Sequence, residues 1–244
     1  MIEPYTEAQA RKILEQYPSH PKTDRIKYMP DNPALIVPLV RQKWIDAAII
    51  PASDELKATL LNKADAVHPR DISQCSVALK SKVSNGLPGS FSEPQAAHLE
   101  RTHEFIRAAG CKDDEIRSFV FSYHPKSTSS FEPCLHVDLE LNTYTALFGA
   151  PMEFYPGTVP EKYIGGLIIG CATWEEQKDF LRKNEICEDI EHELEGFGLG
   201  DIVVFGSRLV HRSSRMVANG PNHEGQGLVG YGLNPMNCPH PLFG

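Results

Sequence analysis

The sequence FEPCLHVDLELNTYTALFG (Phe131–Gly149) contains the residues that decide how this chain is interpreted. His136 and Asp138 lie two positions apart in an alternating, β-rich pattern, which predicts a strand. Side chains two positions apart in a strand point to the same face and are about 7 Å from each other. An imidazole and a carboxylate would therefore lie side by side, where they could bind a divalent metal together.

A second histidine, His211, follows another strand-like run, GDIVVFG (Gly200–Gly206). Two histidines and one carboxylate occupy one face of an octahedron and leave the other face open, an arrangement that suits non-haem iron(II). The same ligands can also bind Zn²⁺. A His-x-Asp tripeptide arises by chance in many proteins, so the alternative is a surface His–Asp pair plus a core histidine.

Composition limits the class of protein. The chain has 244 residues, of which 41% are hydrophobic and 23% charged, enough for one sizeable core. Mean hydropathy is −0.31, and no apolar run approaches the ~18–20 residues that cross a bilayer. The N-terminal residues lack the apolar centre of a secretory signal. We therefore expect a soluble, cytoplasmic protein without a membrane partner.

Charge and cysteine content exclude further classes. The formal net charge is −8, and Lys and Arg are scattered, whereas a nucleic-acid partner would require a basic stripe. Polyanionic substrates are disfavoured for the same reason. The six cysteines form no CxxC pair, and the chain is too long for a small disulfide scaffold. Free buried thiols are the expectation.

Helix signals dominate the first 110 residues. Capping residues predict helices that run from Thr6 to about Gln16, from Ser53 to about Ala64 and from Ser92 to Gly110. One apolar run, ALIVPLV (Ala34–Val40), predicts a strand instead, and Pro38 within it indicates an edge position.

Short β-rich runs dominate the rest of the chain. They are Ile116–His124, Tyr144–Gly149, Met152–Gly157, Gly165–Ala172, Asp201–Gly206, Leu209–His211 and Gln226–Asn234. Helices are predicted only at Thr173–Asn184 and Glu188–Glu195. About eight short strands fit a jelly-roll barrel with helices outside it. We expect a mainly β single domain, residues 1–244, with a mostly helical N-terminal part (1–110) and a β core (116–234).

At these motifs the chain resembles the iron(II)/2-oxoglutarate-dependent dioxygenases. The pattern of that superfamily is His-x-Asp/Glu followed by a distal His, present here as His136-x-Asp138 and His211. Cys134 before the first histidine and the later Gly-Asp…His-Arg-Ser are similar to a bacterial domain family of unknown function. The resemblance covers about residues 116–234 and implies a double-stranded β-helix (cupin-like) core, with the three residues as ligands of Fe(II).

The resemblance also implies an activity. A 2-oxoglutarate cosubstrate and O₂ would drive oxidation, above all hydroxylation, of a small molecule such as an amino acid or a secondary-metabolite intermediate. Asp138 argues against a halogenase, since the halogenases that resemble this family lack the carboxylate. Two alternatives stay open: a cupin-like oxygenase or isomerase that does not use 2-oxoglutarate, and a non-catalytic ligand-binding jelly roll.

The cosubstrate anchor departs from the family pattern. A basic residue on the strand after the distal His usually binds the far carboxylate of 2-oxoglutarate, but GQGLVGYGLN (residues 225–234) contains no Arg or Lys. In a strand, Arg212 would point away from the face of His211. Arg215 is therefore the candidate, because an arginine binds a carboxylate bidentately, and the Tyr123 hydroxyl could assist. No catalytic residue beyond the metal ligands is predicted.

Other candidate residues have ordinary structural explanations. His98 and His103 lie five apart in a predicted helix, on different faces, so a shared metal is not expected. His192 lies in an acidic helix and is predicted to be exposed. Trp174 is predicted to be a packing anchor, and Asp201 to cap a turn.

Overall fold

The structure is a computed structural model that describes residues 4–61, 79–80, 93–111, 116–122, 134–138, 141–148, 151–164, 173–212 and 229–235. Its helices are α1 (Glu7–Leu14), α2 (Pro33–Arg41), α3 (Asp54–Leu61), α4 (Glu93–Ala108), α5 (Trp174–Lys183) and α6 (Ile190–Glu193). Its strands are β1 (Ser19–His20), β2 (Thr23–Tyr28), β3 (Ala47–Ile50), β4 (Leu79–Lys80), β5 (Ile116–Ser122), β6 (Asn142–Phe148), β7 (Glu153–Phe154), β8 (Glu195–Gly196), β9 (Ile202–Phe205), β10 (His211–Arg212) and β11 (Val229–Pro235).

The described strands form two sheets. The large sheet has eight strands in the order β1-β2-β3-β9-β6-β11-β5-β4. It is mixed, since β2 and β3 pair in parallel while β3 and β9 pair antiparallel. The small sheet has three strands in the order β10-β7-β8, all antiparallel.

Strand β9 shows how the layers are arranged, because its residues alternate between two hydrophobic cores. Ile202 and Val204 pack in one cluster with residues of α1, α2 and α4. Val203 and Phe205 pack in a second cluster with Phe154 of the small sheet. The large sheet is therefore covered by helices on one face and by the small sheet on the other.

A third cluster lies on the far side of the small sheet. Trp174 and Leu181 of α5 pack there with Leu135 and Val210. The neighbouring residue Leu209 belongs instead to the core between the two sheets, as expected for extended chain whose side chains alternate. Helix α5 thus lies against the two segments that carry the candidate histidines.

Several predicted helix ends are confirmed because short-range hydrogen bonds set them. Thr6 and Thr173 form capping boxes at the starts of α1 and α5. The Ser53 hydroxyl accepts a hydrogen bond from the Leu56 N–H at 3.1 Å at the start of α3. Gly110 follows α4 with φ of +93°, a conformation that favours glycine.

The predicted Ser92 cap and the predicted strand Gly165–Ala172 lie outside the described residues.

The prediction of a strand at Ala34–Val40 is wrong, because α2 occupies this run. The Asn32 side chain caps it by accepting a backbone hydrogen bond at 3.3 Å, and Pro33 lies in its first turn, where a proline is favourable. Pro38 lies inside the helix. A short run that is apolar on all sides has no period that separates a strand from a buried helix.

The mostly helical N-terminal part (1–110) is not confirmed. Strands β1, β2 and β3 form one edge of the large sheet, where Ala47 pairs with Phe205 of β9. The first 110 residues therefore contribute strands as well as helices to the same layers. The double-stranded β-helix connectivity of residues 116–234 and the single domain stay predictions. No helix in the described ranges has the length and apolarity to cross a membrane.

Candidate metal centre

The structure brings together the three residues that the sequence motif singled out, His136, Asp138 and His211. Each offers one ligand atom, and these atoms all lie within 4.8 Å of one another. The Nε2 of His211 is 3.6 Å from Oδ2 of Asp138. Donors that share one ion at bonds of about 2.0–2.2 Å lie about 3–4 Å apart, a range that includes the separation of His211 and Asp138. The cluster could therefore hold a single metal ion.

The two histidines are paired through their backbones. The N–H of His136 donates to the carbonyl of His211 at 2.8 Å, and the N–H of His211 donates to the carbonyl of His136 at 3.0 Å. This is an isolated bridge at the edge of the small sheet beside β10, not the extended strand predicted around His136. Directly opposite residues of an antiparallel pair project to the same face. The ring centroids accordingly lie 4.3 Å apart.

Hydrogen bonds fix the tautomer of both imidazoles. Nδ1 of His136 lies 3.0 Å from the carbonyl oxygen of Cys134, and Nδ1 of His211 lies 3.0 Å from that of Leu209. Because a carbonyl oxygen only accepts, each Nδ1 must carry the hydrogen and donate it. In this tautomer the lone pair of a neutral ring is on Nε2, the form that binds a metal. The donor set therefore fits a divalent metal.

Electrostatics also favour a cation at this point. Burial, together with the neighbouring His136, lowers the pKa of His211 to about 3, so its ring is neutral at pH 7. Burial raises the pKa of Asp138, although His136 acts in the opposite direction. A poorly hydrated carboxylate is stabilised in its charged form by a bound cation.

The centre is closed on one side and reachable on the other. His211 is 3% exposed, and the ring of Phe205 packs edge-on against it with the centroids 4.9 Å apart. The Asp138 side chain is 31% exposed. A small ligand could therefore approach from the Asp138 side, while water is excluded behind His211.

Arg212 is engaged away from the centre, in line with the predicted direction of its side chain. Its guanidinium donates to Glu153 at 2.8 Å and stacks over the Trp174 ring at 4.1 Å from the centroid. Arg212 is 4% exposed. The predicted cosubstrate residues, Arg215 and Tyr123, lie outside the described residues.

The other residues examined in the sequence have structural roles. His98 lies 3.0 Å from the Thr145 hydroxyl. Within the described ranges, only the triad groups three or more possible metal ligands, so no cluster includes His98. The predicted exposure of His192 is confirmed at 86% of its side chain. Trp174 is 1% exposed and packs in the third cluster, which confirms its predicted role as a packing anchor.

Asp201, which is predicted to cap a turn, also bonds to a distant segment of the chain. Its Oδ1 accepts a hydrogen bond from the N–H of Ala52 at 2.9 Å, so it joins two parts of the chain that are distant in sequence. It is 8% exposed. This bond fixes the segment after β3 to the start of β9.

A cavity of about 260 Å³ lies beside the segment that leads to His211. Arg25, Asp46, Arg208, Leu209 and Val210 are among the residues that line it, and no triad residue is. The cavity is therefore separate from the metal centre.

Sequence reasoning missed Gln177. Its side-chain amide accepts from the N–H of Leu135 at 2.7 Å and donates to the carbonyl of Leu135 at 2.8 Å. The available signal was the position of a polar residue on the buried face of α5, between Trp174 and Leu181. That pattern indicates a buried amide, but it does not identify the partner.

Comparisons with known proteins give only distant similarity. No protein-family model matches the chain, and no curated protein matches it. Among solved structures, the chain is similar to the non-haem alpha-ketoglutarate-dependent carbocyclase SnoK from nogalamycin biosynthesis, at 16% identity and a TM-score of 0.38, covering 77% of this chain and 78% of that one. It is also similar to the non-haem alpha-ketoglutarate-dependent epimerase SnoN from nogalamycin biosynthesis, at 14% identity, a TM-score of 0.38 and 83% coverage of both chains.

Proposed function

We propose that the chain is a cytoplasmic non-haem Fe(II)- and 2-oxoglutarate-dependent oxygenase that hydroxylates a small molecule, such as an amino acid or a secondary-metabolite intermediate. In this proposal His136, Asp138 and His211 bind the iron, and Arg215 with Tyr123 binds the far carboxylate of 2-oxoglutarate. The core is a double-stranded β-helix. The net charge of −8 supports a small-molecule substrate rather than a nucleic acid.

One observation carries the proposal: two imidazoles and one partly buried carboxylate have their ligand atoms within 4.8 Å of one another. Such a donor set suits iron(II) with open positions for other ligands. With 2-oxoglutarate and O₂, bound iron supplies the oxidation of an unreactive C–H bond. The chain itself holds the donors: the carbonyls of Cys134 and Leu209 orient the rings, and Phe205 excludes water behind His211.

Anaerobic titration of the metal-free protein with Fe(II) and 2-oxoglutarate tests the proposal. We expect the weak visible charge-transfer band of the chelate in the unsubstituted protein and in His192→Ala, whose side chain is 86% exposed and away from the centre. His211→Ala should show no band, and admission of O₂ should give succinate in the proteins that show it. Absence of the band from the unsubstituted protein would contradict the proposal.

A second candidate is a cupin-like metal enzyme, an oxygenase or isomerase that does not consume 2-oxoglutarate. The contacts of Arg212 with Glu153 and Trp174 favour this candidate. Because of them, the guanidinium next to His211 is not available to bind the carboxylate of a 2-oxoglutarate molecule. Iron binding without succinate formation would support this candidate. A non-catalytic jelly roll predicts instead no bound metal, and no effect of His136→Ala on ligand affinity beyond its effect on stability.

A further inference from the structure

The backbone N–H and C=O of Leu135 form hydrogen bonds with the side chain of Gln177. In a regular sheet, a neighbouring strand would occupy this position. Since His136 faces His211, the alternation of extended chain directs the N–H and C=O of Leu135 to the opposite edge. There the Gln177 amide accepts from that N–H at 2.7 Å and donates to that carbonyl at 2.8 Å. A primary amide has one acceptor and a donor side by side, so Gln177 takes the place of a neighbouring strand.

Both partners of this contact are removed from water. Gln177 is 1% exposed and Leu135 is 2% exposed. Water molecules therefore cannot replace these two hydrogen bonds unless the core opens. Leu135 lies between the ligand His136 and Cys134, whose carbonyl accepts the hydrogen of the His136 Nδ1. The Gln177 amide therefore fixes both a ligand and the group that orients it.

The same helix reaches the segment of the second histidine. Trp174 lies three residues before Gln177 on α5, which places both on one face of the helix. The Trp174 ring stacks on Arg212, the residue after His211, at 4.1 Å, and its Nε1 donates to Glu191 at 2.9 Å. Helix α5 therefore contacts a residue adjacent to each of the two histidines.

We propose that α5 holds the two histidine-bearing segments at the spacing that a shared metal ion requires, and that Gln177 is the positioning residue for His136. This inference rests on the metal site of the proposed function and is independent of its cosubstrate and substrate. Gln177 acts through the backbone of Leu135 and not by contact with the ion. Loss of a group that orients a metal ligand typically lowers metal affinity about 10–100-fold.

The chain offers a matched control. The Gln42 amide accepts from the N–H of Tyr5 at 2.8 Å and donates to the carbonyl of Tyr5 at 3.0 Å, which is the same pair of bonds. Gln42 follows α2, on the helical side of the large sheet. Gln177→Met and Gln42→Met each remove both bonds and keep an unbranched side chain of similar length.

The experiment measures the Kd for Co(II), from its visible absorption, and the Tm of the metal-free protein. Both variants are expected to lower the Tm. Gln177→Met should raise the Kd about tenfold or more, whereas Gln42→Met should leave it within about twofold of the unsubstituted protein. Gln177→Asn keeps the amide but shortens the side chain by one methylene, so it weakens both bonds without adding a charge; it should raise the Kd by a smaller factor, and it supplies the same test where Gln177→Met does not fold.

An unchanged Kd in the Gln177 variants, with a lowered Tm, would overturn the inference, because the amide would then be structural only. Absence of Co(II) binding by the unsubstituted protein is a different result. It would overturn the metal site of the proposed function, and this inference with it.

Discussion

At the scale of single residues, Asp138 is where stability and the proposed function conflict. Burial raises its pKa above the ordinary value of 3.8. A carboxyl group whose folded pKa is raised binds its proton more tightly in the folded state, so it lowers the stability of the fold once the pH exceeds that ordinary value. At neutral pH without a cation, the charge of Asp138 is therefore a cost to the metal-free protein.

Asp138→Asn is expected to separate the two effects. The substitution keeps the shape of the side chain and removes the buried charge, so the Tm of the metal-free protein at pH 7 should equal or exceed that of the unsubstituted protein. Affinity for Co(II) should fall by more than the roughly 100-fold that loss of an outer partner costs, because a charged ligand is lost. Calorimetry and a cobalt titration measure the two quantities. A clearly lower Tm would show that the carboxylate stabilises the fold without metal.

At the scale of elements, the pairing of β7 with β10 sets Glu153 opposite Arg212. Arg212 is 4% exposed and the Glu153 side chain 19%, so the ion pair is largely removed from water. Breaking such a pair by removal of one partner costs about 3 kcal/mol or more, whereas removal of both charges costs far less.

Arg212→Met is therefore expected to lower the free energy of unfolding by about 3 kcal/mol. The double variant Arg212→Met/Glu153→Gln should recover at least half of that loss, because it also removes the carboxylate that has lost its cation. Urea unfolding of the two single variants and the double variant measures the coupling. Strictly additive losses would show that the two side chains do not act as a pair.

The elements that could be predicted from the sequence are those whose ends are set locally. The capping boxes at Thr6 and Thr173 place α1 and α5, because each involves residues only three apart. The apolar run at α2 could not be assigned, since it is apolar on all sides. Strand β3 was missed because it pairs with β9, about 150 residues further along the chain, and its own four residues give little pattern.

The same distinction applies to the candidate site. His136, Asp138 and His211 could be singled out because their residue types and order carry metal chemistry by themselves. The contact of Gln177 with Leu135 joins residues 42 positions apart through a helix that packs across the small sheet. No local rule connects them, so this support of the site became visible only with the tertiary structure.

At the scale of the whole molecule, the candidate centre lies where three layers meet. The large sheet reaches it through Phe205, the small sheet through His211, and α5 covers the outer side through Gln177. The helices on the other face of the large sheet do not contact the triad through any hydrogen bond or ring contact of the described residues. These helices contribute to the stability of the whole fold, and His98 lies in one of them, α4.

His98 joins α4 to the large sheet, with its Nε2 3.0 Å from the Thr145 hydroxyl of β6. Burial lowers its pKa to about 4 from 6.5, against smaller opposing effects of the Gly200 backbone and Asp31. A histidine with a lowered folded pKa takes up its proton more readily when unfolded, so its contribution to stability is complete above pH 6.5 and is lost as the pH falls toward 4.

Between pH 7 and pH 5 the unfolding free energy should therefore fall by about 2 kcal/mol more in the unsubstituted protein than in His98→Gln, which cannot titrate. All other histidines, including His211, are present in both proteins, so the difference between the two isolates His98. Urea unfolding at the two pH values in metal-free buffer measures it. Parallel losses in both proteins would mean that His98 is hydrated in the folded state, and that α4 does not seal this face of the sheet.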